Sequence, residues 1–448
     1  MNSMTRRTSR RLRIAAGLTT LVATGAALTG CASSGSGSGG DADKTSGVTI
    51  SVVLAYDPPP KATLEEFKKE TGITVKWSNV DWDSLQTKIA AAASAKTYFA
   101  DATDVDWSRV GQLGKLGWFH PMDDYVDVAS MKSDMPQLAS FQDGGKTVGI
   151  PFDASFMVTT ANQKMFQDAG ISTMPTTIDD YTADLKQIQN KGVSEHPLNI
   201  PFAAAEGLST AWYQTTAAFG GTILDSKGKP QFTSKDSGGY RAASWMVQSL
   251  KDGLIAPANI NVSDSQGAQT LMAKGVVAST YSDYSGDVGA LYNVASSSTV
   301  TGQTVYIPTP GVDGPGPNLT NADGIGIPMT AKYPKAAAKF IQWFTSRQKQ
   351  IDFAGGSGKD KVILGYALPS RVSAVDALNE KGTLDGGEVL ASLLKKSKPV
   401  FPDGAPSWYP EFSRAVYTNL HAAAAGTMTV DQAIKKIGDT ANQLASGS

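Results

Sequence analysis

The chain has 448 residues, of which 41% are hydrophobic and 18% are charged, the balance of a soluble globular protein. Its formal net charge is −1, so it has no basic excess for binding nucleic acid. The single cysteine excludes an internal disulfide and a thiolate metal cluster, and the three histidines are far apart in sequence, so we expect neither a metal site nor a cofactor.

The first thirty residues have the order of segments typical of an export signal. Five arginines and no acid stand among the first thirteen residues, an apolar run extends from Ile14 to Leu28, and Thr29 and Gly30 precede the only cysteine, Cys31. The apolar run is too short to span a bilayer comfortably. Leu28 to Cys31 resembles the lipobox of bacterial lipoproteins, which implies cleavage after residue 30 and acylation of Cys31. An uncleaved signal anchor is the alternative.

Removal of the signal and acylation of Cys31 would change the charge of the chain and attach it to a membrane. Without residues 1–30 it has 35 basic and 41 acidic residues, so it is acidic. Residues 31–47 are rich in serine and glycine and are predicted to form a flexible tether. Because several acyl chains give durable anchoring, we expect the protein to be held by lipid at the outer face of the bacterial cytoplasmic membrane.

The chain after the signal is longer than one hydrophobic core normally supports, so two lobes are expected. Residues 48–55 alternate apolar side chains and predict a mostly buried strand that ends in a proline-rich loop. Thr63 and Glu66 predict a capping box for the next helix, and Gly72 predicts its end. Ligands bind at such strand ends in open α/β sheets.

The same alternation of strands and helices continues along the chain. Residues 73–77 predict a second strand, and Asp83 or Ser84 is expected to cap an alanine-rich helix. Thr177 is expected to cap a helix in the second half, and Thr429 is expected to cap the last one. This order predicts an α/β architecture with a largely parallel sheet.

Short landmarks follow one another along the mature chain. They are Glu65-Glu66-Phe67, Thr71-Gly72-Ile73-Thr74-Val75, Asp101 to Asp106, Gly117-Trp118-Phe119-His120-Pro121-Met122-Asp123-Asp124-Tyr125, Asp143-Gly144-Gly145-Lys146, Gly149-Ile150-Pro151, Thr160-Ala161-Asn162, Pro175-Thr176-Thr177, Gly275-Val276-Val277-Ala278 and Lys335 to Ile341. In this order, over about 400 residues, they resemble the family 1 extracellular solute-binding proteins, the carbohydrate-binding lipoproteins of ABC importers. The chain departs from the family at Ile178-Asp179-Asp180, where Trp-x-Glu is usual.

The resemblance implies an α/β, two-lobe fold of the periplasmic-binding-protein type (type II), with three hinge crossings and lobes that close over ligand. The crossings are expected near Asp153–Phe156, Ser279–Ser282 and Asn321–Gly326. Lobe one is then expected to comprise residues 48–153 and 282–322, and lobe two residues 154–281 and 323–448.

A buried sugar needs acceptors for its hydroxyls and flat rings for its C–H faces. The candidates beside the expected cleft loops are Tyr56, Asp57, Trp82, Asp106, Trp107, Trp212, Tyr281, Asp283, Tyr284, Asp323 and Trp408. The resemblance implies that three of these regions commonly line the pocket. They are the Asp106-Trp107 loop, the aromatic after the Gly275 turn and the aromatic near Trp408.

The sequence therefore predicts a monomeric binding protein, not an enzyme, that delivers a sugar or oligosaccharide to ABC permease subunits with a separate ATPase. The acidic pair Asp123-Asp124 lies in a landmark turn and Asp179-Asp180 in a helix's first turn, where acids favour the helix dipole, so neither pair indicates a glycosidase. Two alternatives remain. The first is a binding protein for a cationic solute such as a polyamine or thiamine, which the acidic cleft candidates would also suit. The second is a surface-anchored glycoside hydrolase.

Overall fold

The computed structural model describes residues 42–355, 368–401 and 404–447, all of which belong to one compact unit, Gly39–Ser448. The expected signal peptide, the acylated Cys31 and residues 31–41 of the expected tether lie outside the described residues. The described end of the tether has no helix or strand before the first strand begins at Thr49. Among the described residues, every helix is too short or too polar to cross a membrane.

Short strands and longer helices alternate along the described chain. The strands are β1 (Thr49–Leu54), β2 (Thr74–Asn79), β3 (Ala102–Asp106), β4 (Gln142–Asp143), β5 (Lys146–Thr147), β6 (Ile150–Pro151), β7 (Met157–Asn162), β8 (Leu198–Asn199), β9 (Ser279–Tyr284), β10 (Thr304–Ile307), β11 (Leu319–Thr320), β12 (Asp323–Gly326) and β13 (Lys398–Pro399). The α-helices are α1 (Lys61–Thr71), α2 (Trp82–Ala95), α3 (Val110–Lys115), α4 (Gln163–Asp168), α5 (Ile178–Asn190), α6 (Glu206–Ala218), α7 (Gly238–Lys251), α8 (Gln269–Ala273), α9 (Pro334–Phe344), α10 (Arg347–Gly355), α11 (Val372–Glu380), α12 (Gly387–Lys396), α13 (Tyr409–Ala424) and α14 (Val430–Ser446).

Three of the predicted helix ends are confirmed. Gly72 ends α1 with φ of 72°, a left-handed conformation that suits glycine. The Thr177 side chain accepts the Asp180 N–H and caps α5. At α14, Thr429 and Gln432 form a reciprocal capping box.

Two predicted helix starts lie too late in the chain. Helix α1 begins directly after Pro60, so the capping box predicted at Thr63 falls inside the helix. Pro60 is the N-cap, and its carbonyl accepts the N–H groups of Thr63 at 2.9 Å and Leu64 at 3.2 Å. Helix α2 is capped by Asp81, whose carboxylate accepts the Ser84 N–H at 3.2 Å, so the helix begins before the predicted cap.

The first sheet forms lobe one and has the strand order β2-β1-β3-β12-β6. Strands β1, β2 and β3 are parallel, whereas β12 is antiparallel to both β3 and β6. Ile50 and Leu54 of β1 are fully buried beneath α1 and α9, where the rings of Phe340 and Phe344 stack 5.4 Å apart. The expected parallel sheet is therefore confirmed only for the first three strands.

The second sheet forms lobe two and has the strand order β10-β7-β9-β8. Both neighbours of β7 are antiparallel to it, and only β8 and β9 run parallel. All six residues of β7 are buried, since helices cover the sheet. Helices α6, α7, α13 and α14 pack together to extend this lobe.

Three chain segments join the lobes and are hydrogen-bonded to one another. Residues 152–156 connect β6 to β7, and residues 321–322 connect β11 to β12. The third is described at residues 368–371, directly before α11. The Asn321 N–H donates to the Ser155 carbonyl at 3.0 Å, and the Ala154 N–H donates to the Leu368 carbonyl at 3.0 Å. The hinge is thus a bundle of three adjacent segments.

The strand pairing corrects the lobe boundaries expected from the sequence. Residues 279–282, expected to be a crossing, lie inside β9 of the second sheet. Residues 282–322, expected in lobe one, contribute the end of β9 and all of β10 to lobe two, whereas β12 and α9, expected in lobe two, pack in lobe one. The error has a physical cause: a short buried strand carries no local signal for the sheet it joins.

Candidate functional site

The edge of the first sheet nearest the hinge brings three predicted site residues together. Asp106 ends β3, and Asp323 begins the antiparallel strand β12, so the two residues stand opposite each other in the strand register. The Tyr56 hydroxyl, just past β1, donates a hydrogen bond to Asp323 Oδ2. Asp57 is exposed beside them and accepts from Asn79 Nδ2 at 2.9 Å, which places it on the rim of this edge.

Two further carboxylates, which sequence reasoning missed, lie at the same edge. Asp104 precedes Asp106 on β3, and Asp153 lies in the first crossing, where its Oδ1 accepts the Asp323 N–H at 2.9 Å. Burial, followed by the charge of neighbouring carboxylates, raises the pKa of Asp104 and Asp323 well above the usual range. Burial likewise raises the pKa of Asp153 to about 7. At neutral pH the edge therefore carries fewer charges than its four carboxyl groups suggest.

The raised pKa of Asp153 predicts a pH-dependent stability. A carboxyl whose pKa rises on folding favours the folded state fully below its unfolded pKa, and this contribution is lost as the pH rises through the folded value. Asp153→Asn cannot ionise. The melting temperature of the variant should therefore fall less than that of the wild type between pH 4 and pH 8, equivalent to on the order of 1–4 kcal/mol.

Thermal unfolding followed by circular dichroism across this pH range measures the effect. Asp439→Asn is the matched control, because Asp439 is exposed on α14 and forms an ion pair with the exposed Lys435 at 2.6 Å. If the melting temperatures of Asp153→Asn and the wild type change in parallel with pH, the pKa of Asp153 is the same in the folded and unfolded chain, and the prediction is wrong.

Trp107 joins the lobe-one edge to lobe two. Its side chain is only 6% exposed. The ring lies 5.5 Å from the ring of Tyr409 and 6.3 Å from that of Phe401, measured between ring centroids. Both partners belong to lobe two, at and before the start of α13. An aromatic surface therefore crosses between the lobes beside Asp106.

Glu206 is the principal lobe-two residue that sequence reasoning missed. It begins α6, and its carboxylate accepts from the Tyr409 hydroxyl and from Ser413 Oγ at 2.7 Å. Burial raises its pKa and Asp106 adds to this rise, whereas Tyr409 and Arg109 oppose it. Asp106 and Arg109 belong to lobe one, so Glu206 faces the other lobe. From the sequence, an acid in a helix's first turn is explained by the helix dipole alone.

Tyr284 extends the lobe-two side of the site. It ends β9 opposite Met157, the first residue after the hinge crossing, and its hydroxyl donates to Asp264 Oδ2. A Cβ at Gly207 would lie 2.3 Å from Asp264 Cγ, so this contact requires glycine next to Glu206. Asp283, by contrast, is 3% exposed and accepts from Thr160 Oγ1 at 2.5 Å within the lobe.

A cavity of about 360 Å³ opens between the lobes beyond Trp107. It is lined by Trp82, Gln86, Thr87, Ala90, Arg109, Gln112, Leu113 and Arg414, from α2, α3, α13 and the turn before α3. The Arg109 guanidinium lies 5.8 Å from the centre of the Trp82 ring, and Gln86 Nε2 donates to Asp104 Oδ2 at 2.5 Å. The predicted residue Trp82 thus faces a cavity that adjoins the carboxylate edge.

Three of the predicted rings lie in the lobe-two core and not at this site. Trp212 is fully buried and donates its indole N–H to the Gly239 carbonyl at 2.9 Å. Tyr281 is fully buried and donates its hydroxyl to the Pro310 carbonyl at 2.6 Å. Trp408 packs edge-on against Phe412, whereas the next residue, Tyr409, meets Trp107. Successive side chains on a helix differ in direction by about 100°. The ring that faces Trp107 is therefore Tyr409, and not the predicted Trp408.

In the part of the chain that the structure describes, no three acidic, histidine or cysteine side chains are grouped as a metal site would require. The site is instead built from carboxylates, aromatic rings and two arginines, contributed by both lobes. Such a surface can accept hydrogen bonds from hydroxyl groups and cover apolar faces of a small molecule.

The sequence matches one family of known proteins and one curated relative. The sequence profile of the family described as bacterial extracellular solute-binding protein matches residues 56–351. The diacetylchitobiose binding protein DasA of Streptomyces coelicolor is 26% identical over 222 residues, which cover 48% of this chain and 47% of DasA. The match therefore spans about half the length of this curated relative.

Solved structures cover nearly the whole described chain. A solute-binding protein of an ABC transporter from Agrobacterium radiobacter K84, in complex with ribitol, has a TM-score of 0.76 and 22% identity over 89% of this chain and 99% of its own. Maltose-bound MalE3 of T. maritima has a TM-score of 0.72 and 19% identity over 89% of this chain and 100% of its own. The GacH receptor of Streptomyces glaucescens, solved with acarbose, has a TM-score of 0.72 and 18% identity over 90% of this chain and 99% of its own. The two-lobe fold is shared with these proteins.

Proposed function

The chain belongs to the bacterial extracellular solute-binding proteins, and on that premise we propose that it captures a sugar or oligosaccharide between its lobes and delivers it to an ABC import permease. The observation that carries this proposal is the edge where Asp106 and Trp107 of lobe one meet Glu206 and Tyr409 of lobe two. Carboxylates accept from neighbouring sugar hydroxyls, and aromatic rings cover the C–H faces.

The names of the similar proteins support a carbohydrate ligand. DasA binds diacetylchitobiose, and the three structural neighbours were solved with ribitol, maltose and acarbose. These ligands share several hydroxyl groups on a small framework. The carboxylates and rings at the interlobe edge suit such ligands in general and do not by themselves select one sugar.

The hinge supports capture by closure. The two crossings at residues 152–156 and 321–322 are short and hydrogen-bonded to each other, so the lobes can rotate about them while each sheet stays intact. A ligand that contacts both lobes at once binds the closed form better than the open form, and this difference in affinity drives closure. The role is therefore binding and release, without turnover of the sugar.

The alternatives differ in the charge and the chemistry that they require. A polyamine or thiamine would suit Asp106 and Asp323, but the adjoining cavity presents Arg109 and Arg414, which repel a cation. A surface-anchored glycoside hydrolase would release product from the bound sugar. Membership of a solute-binding family favours binding over hydrolysis.

A thermal-shift screen tests the proposal. The purified mature protein is heated with neutral and acidic mono- and oligosaccharides, polyamines, thiamine and amino acids, and product release from each stabilising sugar is followed by chromatography. A ligand at 100 times its Kd adds about 2.7 kcal/mol to the free energy of unfolding, so binding raises the melting temperature. Stabilisation by a carbohydrate without product is expected. Stabilisation by polyamines alone, or cleavage of the sugar, contradicts the proposal.

We further propose that the exported protein is held by acylated Cys31 at the outer face of the cytoplasmic membrane, where it acts as a monomer with permease subunits and a separate ATPase. Support comes from the family, which is extracellular, and from the lipobox-like order of residues 28–31. The acidic mature chain and its Ser/Gly-rich residues after Cys31 suit a folded body tethered near a membrane.

Replacing Cys31 by serine should release the protein from the membrane, because the thiol is the only site for the acyl chains. The variant should remain uncleaved at residue 30 and take up no palmitate analogue in metabolic labelling, whereas Ser33→Ala should be processed and labelled normally. Labelling and processing of Cys31→Ser at the wild-type level would show that the anchor lies elsewhere.

A further inference from the structure

The cavity between the lobes has a cationic wall that a neutral sugar does not require. Arg109 reaches it from lobe one and Arg414 from α13 of lobe two, while the other lining residues are uncharged. No carboxylate lines the cavity. Positive charge is therefore concentrated in a space that otherwise offers amide, hydroxyl and indole groups.

The two guanidinium groups are also incompletely partnered. Among the described residues neither forms an ion pair with a carboxylate, and Arg109 Nε is buried without a hydrogen-bond partner. The Trp82 ring lies against Arg109, with its centre 5.8 Å from the guanidinium. Glu206, the buried acid of lobe two, is engaged by Tyr409 and Ser413 and is not part of the cavity wall. Because no carboxylate of the cavity wall neutralises the two guanidinium groups, an anionic ligand group in the cavity is favoured.

Closure brings the two positive charges toward one another because they belong to different lobes. Their repulsion opposes closure of the empty cleft, and an anionic group between them converts this repulsion into two attractive contacts. The planar guanidinium fork matches the two oxygens of a carboxylate, which it can bind through two parallel N–H bonds. An anionic ligand thus has a larger difference in affinity between closed and open forms than its neutral counterpart.

From the convergence of Arg109 and Arg414 on one cavity without an acid, we propose that the preferred ligand is a sugar acid, whose carboxylate lies between the two arginines. This inference rests on the proposed function and specifies its substrate class. The hydroxyl groups of the ligand then lie toward Asp106 and Trp107, because Gln86 and Arg109 connect the cavity to that edge. The proposed site therefore has hydrogen-bond acceptors at the Asp106 end and the two arginines at the other end.

Isothermal titration of the mature protein with matched pairs tests the inference. The probes are D-galacturonate with D-galactose, D-glucuronate with D-glucose, digalacturonate with galactobiose, and galactose 6-sulfate and 6-phosphate. We expect at least one uronate to bind 10-fold or more tightly than its neutral parent. Arg414→Gln should reduce the preference for that uronate over its neutral parent about 5- to 50-fold, because it removes one of the two guanidinium groups. Arg241→Gln is the control, an exposed arginine beside Phe219, away from the cavity.

The outcomes separate the two proposals. Equal affinity for uronates and neutral sugars, or an undiminished preference in Arg414→Gln, overturns the sugar-acid inference and leaves carbohydrate capture standing. Tighter binding of the sulfated or phosphorylated sugar than of any uronate overturns the carboxylate assignment. Binding of no carbohydrate of either charge overturns this inference together with the proposed function.

Discussion

Trp107→Ala should weaken carbohydrate binding about 5- to 150-fold and lower the free energy of unfolding by roughly 3–5 kcal/mol. The ring is 6% exposed and packs against Phe401 and Tyr409 of the other lobe, so truncation removes contacts that hold the lobes together as well as a surface for the sugar. Titration calorimetry measures the first effect and urea unfolding the second.

Two substitutions in the lobe-two core control for this prediction. Trp245→Phe removes an indole N–H that donates to Thr182 Oγ1 at 3.0 Å, and Tyr281→Phe removes the hydroxyl that donates to Pro310. Each should cost about 1–3 kcal/mol of stability and leave affinity within 2-fold, because neither ring lies at the interlobe edge. If Trp107→Ala binds like the wild type while Tyr281→Phe binds poorly, the pocket lies in the second lobe and not at the edge.

Glu206→Ala should destabilise the protein by roughly 2–5 kcal/mol and weaken binding, since it leaves the hydroxyls of Tyr409 and Ser413 without their acceptor in a buried position. Glu206→Gln retains a carbonyl oxygen as acceptor and should recover most of the stability. Chemical unfolding of the three proteins measures the loss and the recovery.

The matched control is Glu411→Ala, because Glu411 is an exposed acid in the first turn of α13 and its loss should cost no more than about 1 kcal/mol. Equal stability of Glu206→Ala and Glu411→Ala would contradict the account of Glu206 as the acceptor that orders the lobe-two side of the site.

Much of the fold follows from local patterns in the sequence. The alternation in residues 48–55 predicts β1, and the caps at Gly72, Thr177 and Thr429 act through neighbouring residues only. The placement of Asp106 and Tyr56 at one edge is also predictable, since both lie at the carboxyl ends of parallel strands. The ordered landmarks then indicate two lobes, which the solved structures share.

What could not be predicted depends on contacts between distant parts of the chain. The sequence of β9 suits either sheet, so the crossing predicted at Ser279–Ser282 is wrong. Trp212 and Tyr281 have the composition of sugar-binding residues, but tertiary packing buries them beside Phe232 and Tyr181. Glu206 meets its Tyr409 partner across 203 positions of sequence, and no local pattern marks that pairing.

The central claim, that a carbohydrate binds between the two lobes, is tested most directly by an electron-density map of the protein crystallised with the sugar that stabilises it most in the thermal screen. We predict density that contacts Asp106 and Trp107 on one side and Glu206 or Tyr409 on the other, with the lobes closed around it. Density confined to the outer surface of one lobe, with the interlobe edge filled only by water, would contradict the claim.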